Sequence, residues 1–167
     1  MRILDEKFRK NIIGDIFQCA LATISVFIVL HVLDVVTDAV IIAALGSSTF
    51  IVFTMPDAQV AKPRIMIGGY IVGIAAGCIC HYLSLWSLME WISYLDESPR
   101  VVFGAMSVGL AIFVMVITDT AHPPAAGLAL GLIINEWSFL TIVVVFVGIF
   151  SLSLIKLVLK PVLKNLL

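Results

Sequence analysis

Thr118-Asp119-Thr120-Ala121-His122-Pro123-Pro124-Ala125-Ala126-Gly127 interrupts a chain that is otherwise too apolar for water. Of its 167 residues 62% are hydrophobic and 13% charged, against about 25% charged in a soluble domain. A histidine followed by two prolines at membrane depth marks a spanning helix that has been broken. Proline has no amide donor and clashes with the preceding turn, so a helix running in from residue 101 stops near Thr118 or Asp119. A new helix can start at once, with Asp119 or Thr120 as its cap and the prolines in its first turn. Its start would present backbone donors and a partial positive charge, which suits an anion.

Working outward, residues 16–33, 65–86, 101–118 and 139–159 each approach the roughly 20 apolar residues that cross a bilayer as a helix. Two shorter stretches, 39–53 and 121–134, reach only about 22 Å at 1.5 Å per residue, less than the roughly 30 Å hydrocarbon core. The fold class is therefore an all-α integral membrane protein with six segments, two of them short or broken. Four full spans with two re-entrant segments is the alternative. One transmembrane domain over residues 1–167 is expected, with no soluble regulatory domain.

Basic residues decide between the layouts. Six crossings place Arg2, Lys7, Arg9, Lys10, Lys62, Arg64, Lys156, Lys160 and Lys164 on one side and leave Arg100 on the other. Re-entrant short segments would move Lys62 and Arg64 across and spoil that bias, so six crossings with both termini cytoplasmic are preferred. Asp34, Asp38, Glu90, Asp96, Glu97 and Glu136 then face outward, as do the interfacial indoles Trp86, Trp91 and Trp137. The simplest destination is a prokaryotic plasma membrane, since no cleavable signal or transit pattern is evident. Six crossings divide three and three in opposite senses, each set with its short segment in the middle, the layout of an inverted repeat. The sequence echo between Gly46-Ser47-Ser48-Thr49 and Thr118-Asp119-Thr120 is faint.

Candidate chemistry gathers at the breaks. His122 can offer a ring hydrogen to an oxyanion when neutral and a full charge when protonated. It heads an expected anion-binding set with Thr120, Pro123, Pro124, the amides from Ala125 onward, and Ser47, Ser48 and Thr49. Asp119 is expected to cap the new helix, with proton coupling as its other role. Lys62 and Arg64 flank an entrance, where bases anchor topology and also concentrate anions. Gly69, Gly73 and Gly77 fall four apart on one helical face, a seam for close helix packing. The competing reading is a rigid kink whose polar groups satisfy one another.

Other classes find little support. There is no phosphate-cradling loop, zinc-protease histidine pair or nucleophile elbow. His31, His81 and His122 are too few for haem or a metal cluster, and Cys19, Cys78 and Cys80 read as small packing residues. No metal, no other cofactor and no nucleic-acid partner is expected, and the chain is not expected to be an enzyme.

The stretch from Thr120 to Leu130, read with Phe53, Pro56, Ala61, Pro63-Arg64 and Gly68-Gly69-Tyr70 upstream, resembles the HPP family of small integral membrane proteins. The likeness covers about residues 40–135. Lys62 stands where relatives carry glutamine, and Tyr70 where histidine is common. The resemblance implies about four membrane helices and, from plant plastid members, nitrite transport; some relatives add a C-terminal CBS pair, and none is expected here. The expected function is a passive channel or facilitated carrier for a small monovalent anion, nitrite first, then nitrate or formate. A homo-oligomer in contact with lipid is expected. The alternatives are a structural or regulatory subunit without transport, and a proton-coupled anion transporter.

Overall fold

The computed structural model describes residues 6–33, 39–85, 99–135 and 138–166. Among them are six α-helices: α1 (Glu6–Leu33), α2 (Ala39–Thr54), α3 (Pro63–Leu85), α4 (Pro99–Ile117), α5 (Pro123–Ile134) and α6 (Phe139–Leu159). A 3-10 turn, Gln59–Ala61, joins α2 to α3. Four helices contain windows long and apolar enough to cross a membrane, in α1, α3, α4 and α6; α2 and α5 are the short pair. The protein is a multi-span helical bundle. Arg2, Asp34, Asp38, Trp86, Glu90, Trp91, Asp96, Glu97, Glu136 and Trp137 lie outside the described residues, as do the side chains of Lys7, Arg9, Lys10 and His31.

The break works through two adjacent caps. At the end of α4, the Thr120 N–H donates to Met115 O at 2.9 Å and the Asp119 N–H to Val116 O at 3.4 Å. Asp119 has φ 51°. These are the paired bonds of a left-handed helix stop, with aspartate in the position glycine usually fills. His122 then takes extended angles as the N-cap of α5, Pro123 and Pro124 fill its first positions, and no side chain caps it. The capping role expected of Asp119 is thus corrected. It closes the helix before the break, and its side chain is exposed.

The chain turns back at this point. A Cβ built on Gly69 would meet His122, one on Gly73 would meet Ala125, and one on Gly77 would meet Ala129 and Leu132. So α3 and α5 run parallel in close contact, over the glycine seam. Gly104, near the start of α4, lies against Leu130 and Ile133 near the end of α5, so those two helices are antiparallel. Although α5 measures only about 18 Å along its axis, Ile134 shares a pocket with Arg100 and Val101. Helix and extended linker together return the chain to the end of the bundle where α4 began.

Packing follows a regular scheme. Helix α3 lies against α4 and α5, as α6 lies against α1 and α2; α4 meets α5 as α1 meets α2; and α2–α5 and α3–α6 meet across the middle. Exchanging the first three helices with the last three maps this set of pairs onto itself. The core that results joins Met66, Tyr70 and Ile74 of α3 to Ala125, Leu128 and Ala129 of α5 and to Val145, Ile149 and Leu152 of α6. Phe27, Phe113 and Phe139 point outward, each more than half exposed. That is the inverse of a soluble surface and suits contact with lipid.

Candidate functional site

Three side chains with no exposed surface meet where α2, α3 and the start of α5 converge: Ser48, Tyr70 and His122. The His122 Nε2 lies 2.8 Å from Ser48 Oγ. Ser48 Oγ lies 2.9 Å from the Tyr70 hydroxyl. On the far side of the ring, His122 Nδ1 lies 3.0 Å from the Val60 carbonyl oxygen. A carbonyl only accepts, so Nδ1 carries a proton. With a neutral ring Nε2 accepts, Ser48 donates to it, and Tyr70 donates to Ser48. The result is one directed chain from Tyr70 through Ser48 and His122 to Val60. The Tyr70 and His122 rings lie 5.6 Å apart, tilted by 40°.

Backbone proximity makes this geometry possible. A Cβ on Gly69 would come within 2.6 Å of His122 Cβ and 2.9 Å of the Thr120 carbonyl oxygen. Such distances exclude any side chain there, so the glycine lets α3 slide against the break and brings Tyr70, the next residue, level with the imidazole.

The remaining predicted residues divide by location. Ser47 donates to Ala43 O at 2.9 Å, and Thr49 to Leu45 O at 2.8 Å. Both bond back to their own helix, as isolated hydroxyls in apolar helices do. Of the expected trio, Ser48 alone joins His122. Ser47 and Pro123 instead line a groove of about 650 Å³ between α2 and α5, with Phe50, Pro124 and Gly127. Thr120 is buried and its hydroxyl pairs with that of Thr118 at 2.7 Å. The helix-start amides are a further correction. Pro123 and Pro124 have none, and the Ala125 N–H donates to His122 O at 3.0 Å. In this conformation the start of α5 therefore has no free donor to turn toward an ion within its first three residues. Lys62 and Arg64 are exposed at the mouth of α3, where the Lys62 carbonyl accepts the Ile65 and Met66 amides.

Sequence reasoning assigned no site role to several residues. In the sequence Tyr70 stands out only as a departure from histidine, yet it occupies the relay and supplies a hydrogen bond to Ser48. Lys156 is 7% exposed, and its Nζ donates to the Ala61 carbonyl oxygen. The signal was available, since Lys156 is the one charge in the run 139–159 and a charge inside a span points to function by default. Gln18 is buried in α1. It donates to Lys164 O at 2.7 Å and accepts from the Lys164 N–H at 3.0 Å. It also donates to Phe53 O at the end of α2. The Leu166 N–H reaches Thr54 O at 2.9 Å, and Asn165 Nδ2 reaches Asp57 Oδ2 at 3.0 Å. The tail after α6 is thus strapped across the connection from α2 to α3.

Comparison with known proteins matches residues 9–166 to the family described as "HPP, transmembrane region". The chain belongs to the HPP family. A Dictyostelium discoideum protein described as a transmembrane protein is 28% identical to this HPP protein over 127 residues, 75% of this chain and 41% of that one. The chain thus spans about two fifths of the length of this curated relative. No solved structure matches it. In this HPP protein His122 is the N-cap of α5, and Pro123 and Pro124 open its first turn.

Proposed function

We propose that this protein is a passive pathway, a channel or facilitated carrier, for a small monovalent anion, with nitrite first and nitrate or formate behind it. HPP membership supports reading it as a small-molecule transport-related membrane protein, and the composition of its interior gives the sign of the cargo. One observation carries it. The buried polar side chains among the described residues are Gln18, Ser25, Ser48, Thr49, Ser107, Thr120, His122, Ser153 and Lys156. That set holds no carboxylate and a single formal charge, which is positive. An interior so composed disfavours a cation, while exposed Lys62, Arg64, Lys160 and Lys164 at the neighbouring end draw anions toward it.

On this reading the described conformation is closed, and the Ser48–Tyr70–His122 chain is the gate. Opening would break the Ser48–His122 bond and turn both groups, with Thr120, toward the passing ion. Both termini are cytoplasmic, in a prokaryotic plasma membrane, and copies of the chain associate in the bilayer. The test is uptake of nitrite, nitrate, formate, chloride and phosphate into proteoliposomes at several pH values, with and without a proton gradient. Nitrite entry above that of empty vesicles, abolished by His122→Ala in a variant that keeps its helical spectrum, is the expected result. Full nitrite entry in that variant would remove His122 from the pathway.

A second reading has its own observation. Every ring nitrogen and hydroxyl in the relay is already paired, as in a purely structural kink. A protein that moves none of the five anions yet co-purifies with one stoichiometric membrane partner would establish a structural or regulatory subunit.

A further inference from the structure

The 3-10 turn Gln59–Ala61 offers two consecutive carbonyls to two different side chains, Val60 to His122 and Ala61 to Lys156. The first contact completes a fully paired chain. The second does not. An ammonium has three donors, and among the described residues that of Lys156 makes one hydrogen bond, with no carboxylate at ion-pair distance. The charges acting on it are Asp57 of opposite sign, and Lys160 and Lys62 of like sign. Asp57 is exposed and engaged with Asn165. A neutral carbonyl is weak compensation for a cation withdrawn from water, which normally sits beside a carboxylate or a bound anion.

A second observation points the same way. Ser153 stands one turn before Lys156 on α6, 4% exposed, and its Oγ is fully buried without a hydrogen-bond partner among the described residues. Residues three apart on a helix are neighbours on one face. Hydroxyls in apolar helices usually bond back to their own turn, as Ser47, Thr49 and Ser107 do here, so this one is an exception. An underpaired ammonium and an unpaired hydroxyl thus belong to neighbouring residues on one buried helix face.

We infer that Lys156 and Ser153 form the anion-binding site of the pathway, with the Ala61 carbonyl holding the ammonium until an anion displaces it. The inference rests on the anion-transport reading and names the residues that hold the ion. Its ligand class is a small monovalent oxyanion with two acceptor oxygens, one for the ammonium and one for the hydroxyl. Nitrite and formate meet that description. Chloride offers a single centre and should compete weakly.

The test uses the full chain, purified for thermal melting in sodium nitrite against sodium gluconate at constant ionic strength, and reconstituted for nitrite flux. Nitrite should raise the melting temperature of the wild type, as any ligand selective for the folded state does. Lys156→Gln should lose that rise and about tenfold or more in nitrite flux, equivalent to about 1.4 kcal/mol, while melting in gluconate no lower than the wild type because a buried charge has gone. Lys156→Arg should recover part of both signals, and Ser153→Ala should weaken nitrite dependence while leaving melting in gluconate unchanged. If Lys156→Gln does not fold, Lys156→Met and Lys156→Arg carry the comparison. A wild-type nitrite dependence in Lys156→Gln or Lys156→Met overturns the inference even when transport is active. A wild type that moves no nitrite, but whose nitrite-induced stabilisation disappears in those variants, supports the binding site while rejecting the transport reading. A wild type with neither flux nor stabilisation overturns both.

Discussion

Ser48 and Tyr70 are unequal members of one hydrogen-bonded chain, and the inequality can be measured. Ser48 both donates and accepts, so Ser48→Ala leaves the Tyr70 hydroxyl and His122 Nε2 without partners, each costing about 1–3 kcal/mol when buried. Tyr70→Phe removes only the terminal donor, and Ser48 keeps its bond to the ring, at a cost of about 0.5–1.5 kcal/mol. Denaturant unfolding in detergent should rank Ser48→Ala well below Tyr70→Phe. Equal losses would mean that the chain is not continuous. His122 was legible from the sequence because its type and its prolines are out of place in a span. Its partners were not. Ser48 lies 74 positions from the imidazole it bonds, and nothing in its local pattern separates it from Ser47 and Thr49, which turn out to bond backward. Asp119 misled because aspartate is a good cap at a helix start and also tolerates left-handed angles at a helix stop. With helices on both sides of it, composition alone did not say which end it serves.

At the scale of helices, the packing of α3 on α5 is decided by where a side chain has no room. Gly73 faces the Ala125 carbonyl so closely that an added methyl must displace backbone. Gly127, on the same partner helix, faces open space. Gly73→Ala should therefore destabilise the protein by about 1–3 kcal/mol through overpacking. Gly127→Ala should stabilise it by up to about 1 kcal/mol, since alanine is the better helix former. Matching thermal shifts from the two would contradict the parallel docking of these helices. The four-residue spacing of Gly69, Gly73 and Gly77 was readable as a seam. The identity of the opposing helix was not, because the seam meets a helix of only twelve residues whose existence depended on how the proline break was resolved.

Across the whole molecule, helix direction alternates, and the packed pairs keep their pattern when the two halves are exchanged. Hydropathy, with the basic residues falling at one end in a six-crossing layout, made that architecture legible, although faint sequence repetition did not. The arrangement makes a labelling prediction. Cysteines introduced at Lys62 and Asn165, in a background lacking Cys19, Cys78 and Cys80, should react with an impermeant maleimide from one face of sealed vesicles. A cysteine at Arg100, beside the end of α5, should react from the other. Labelling at Lys62 from the face opposite to Asn165 would replace the six-crossing layout with a re-entrant one.

The strap formed by residues 164–166 has a mechanical consequence. It grips Gln18, Thr54 and Asp57 at once, and the last two lie just before the turn whose carbonyls engage the imidazole and the ammonium. Tension or torque on the tail is therefore delivered to that loop across very few intervening bonds. Whatever tugs on the carboxyl-terminal end acts as a rein on the interior, and an affinity handle fused there is the wrong place to attach one when activity is to be measured.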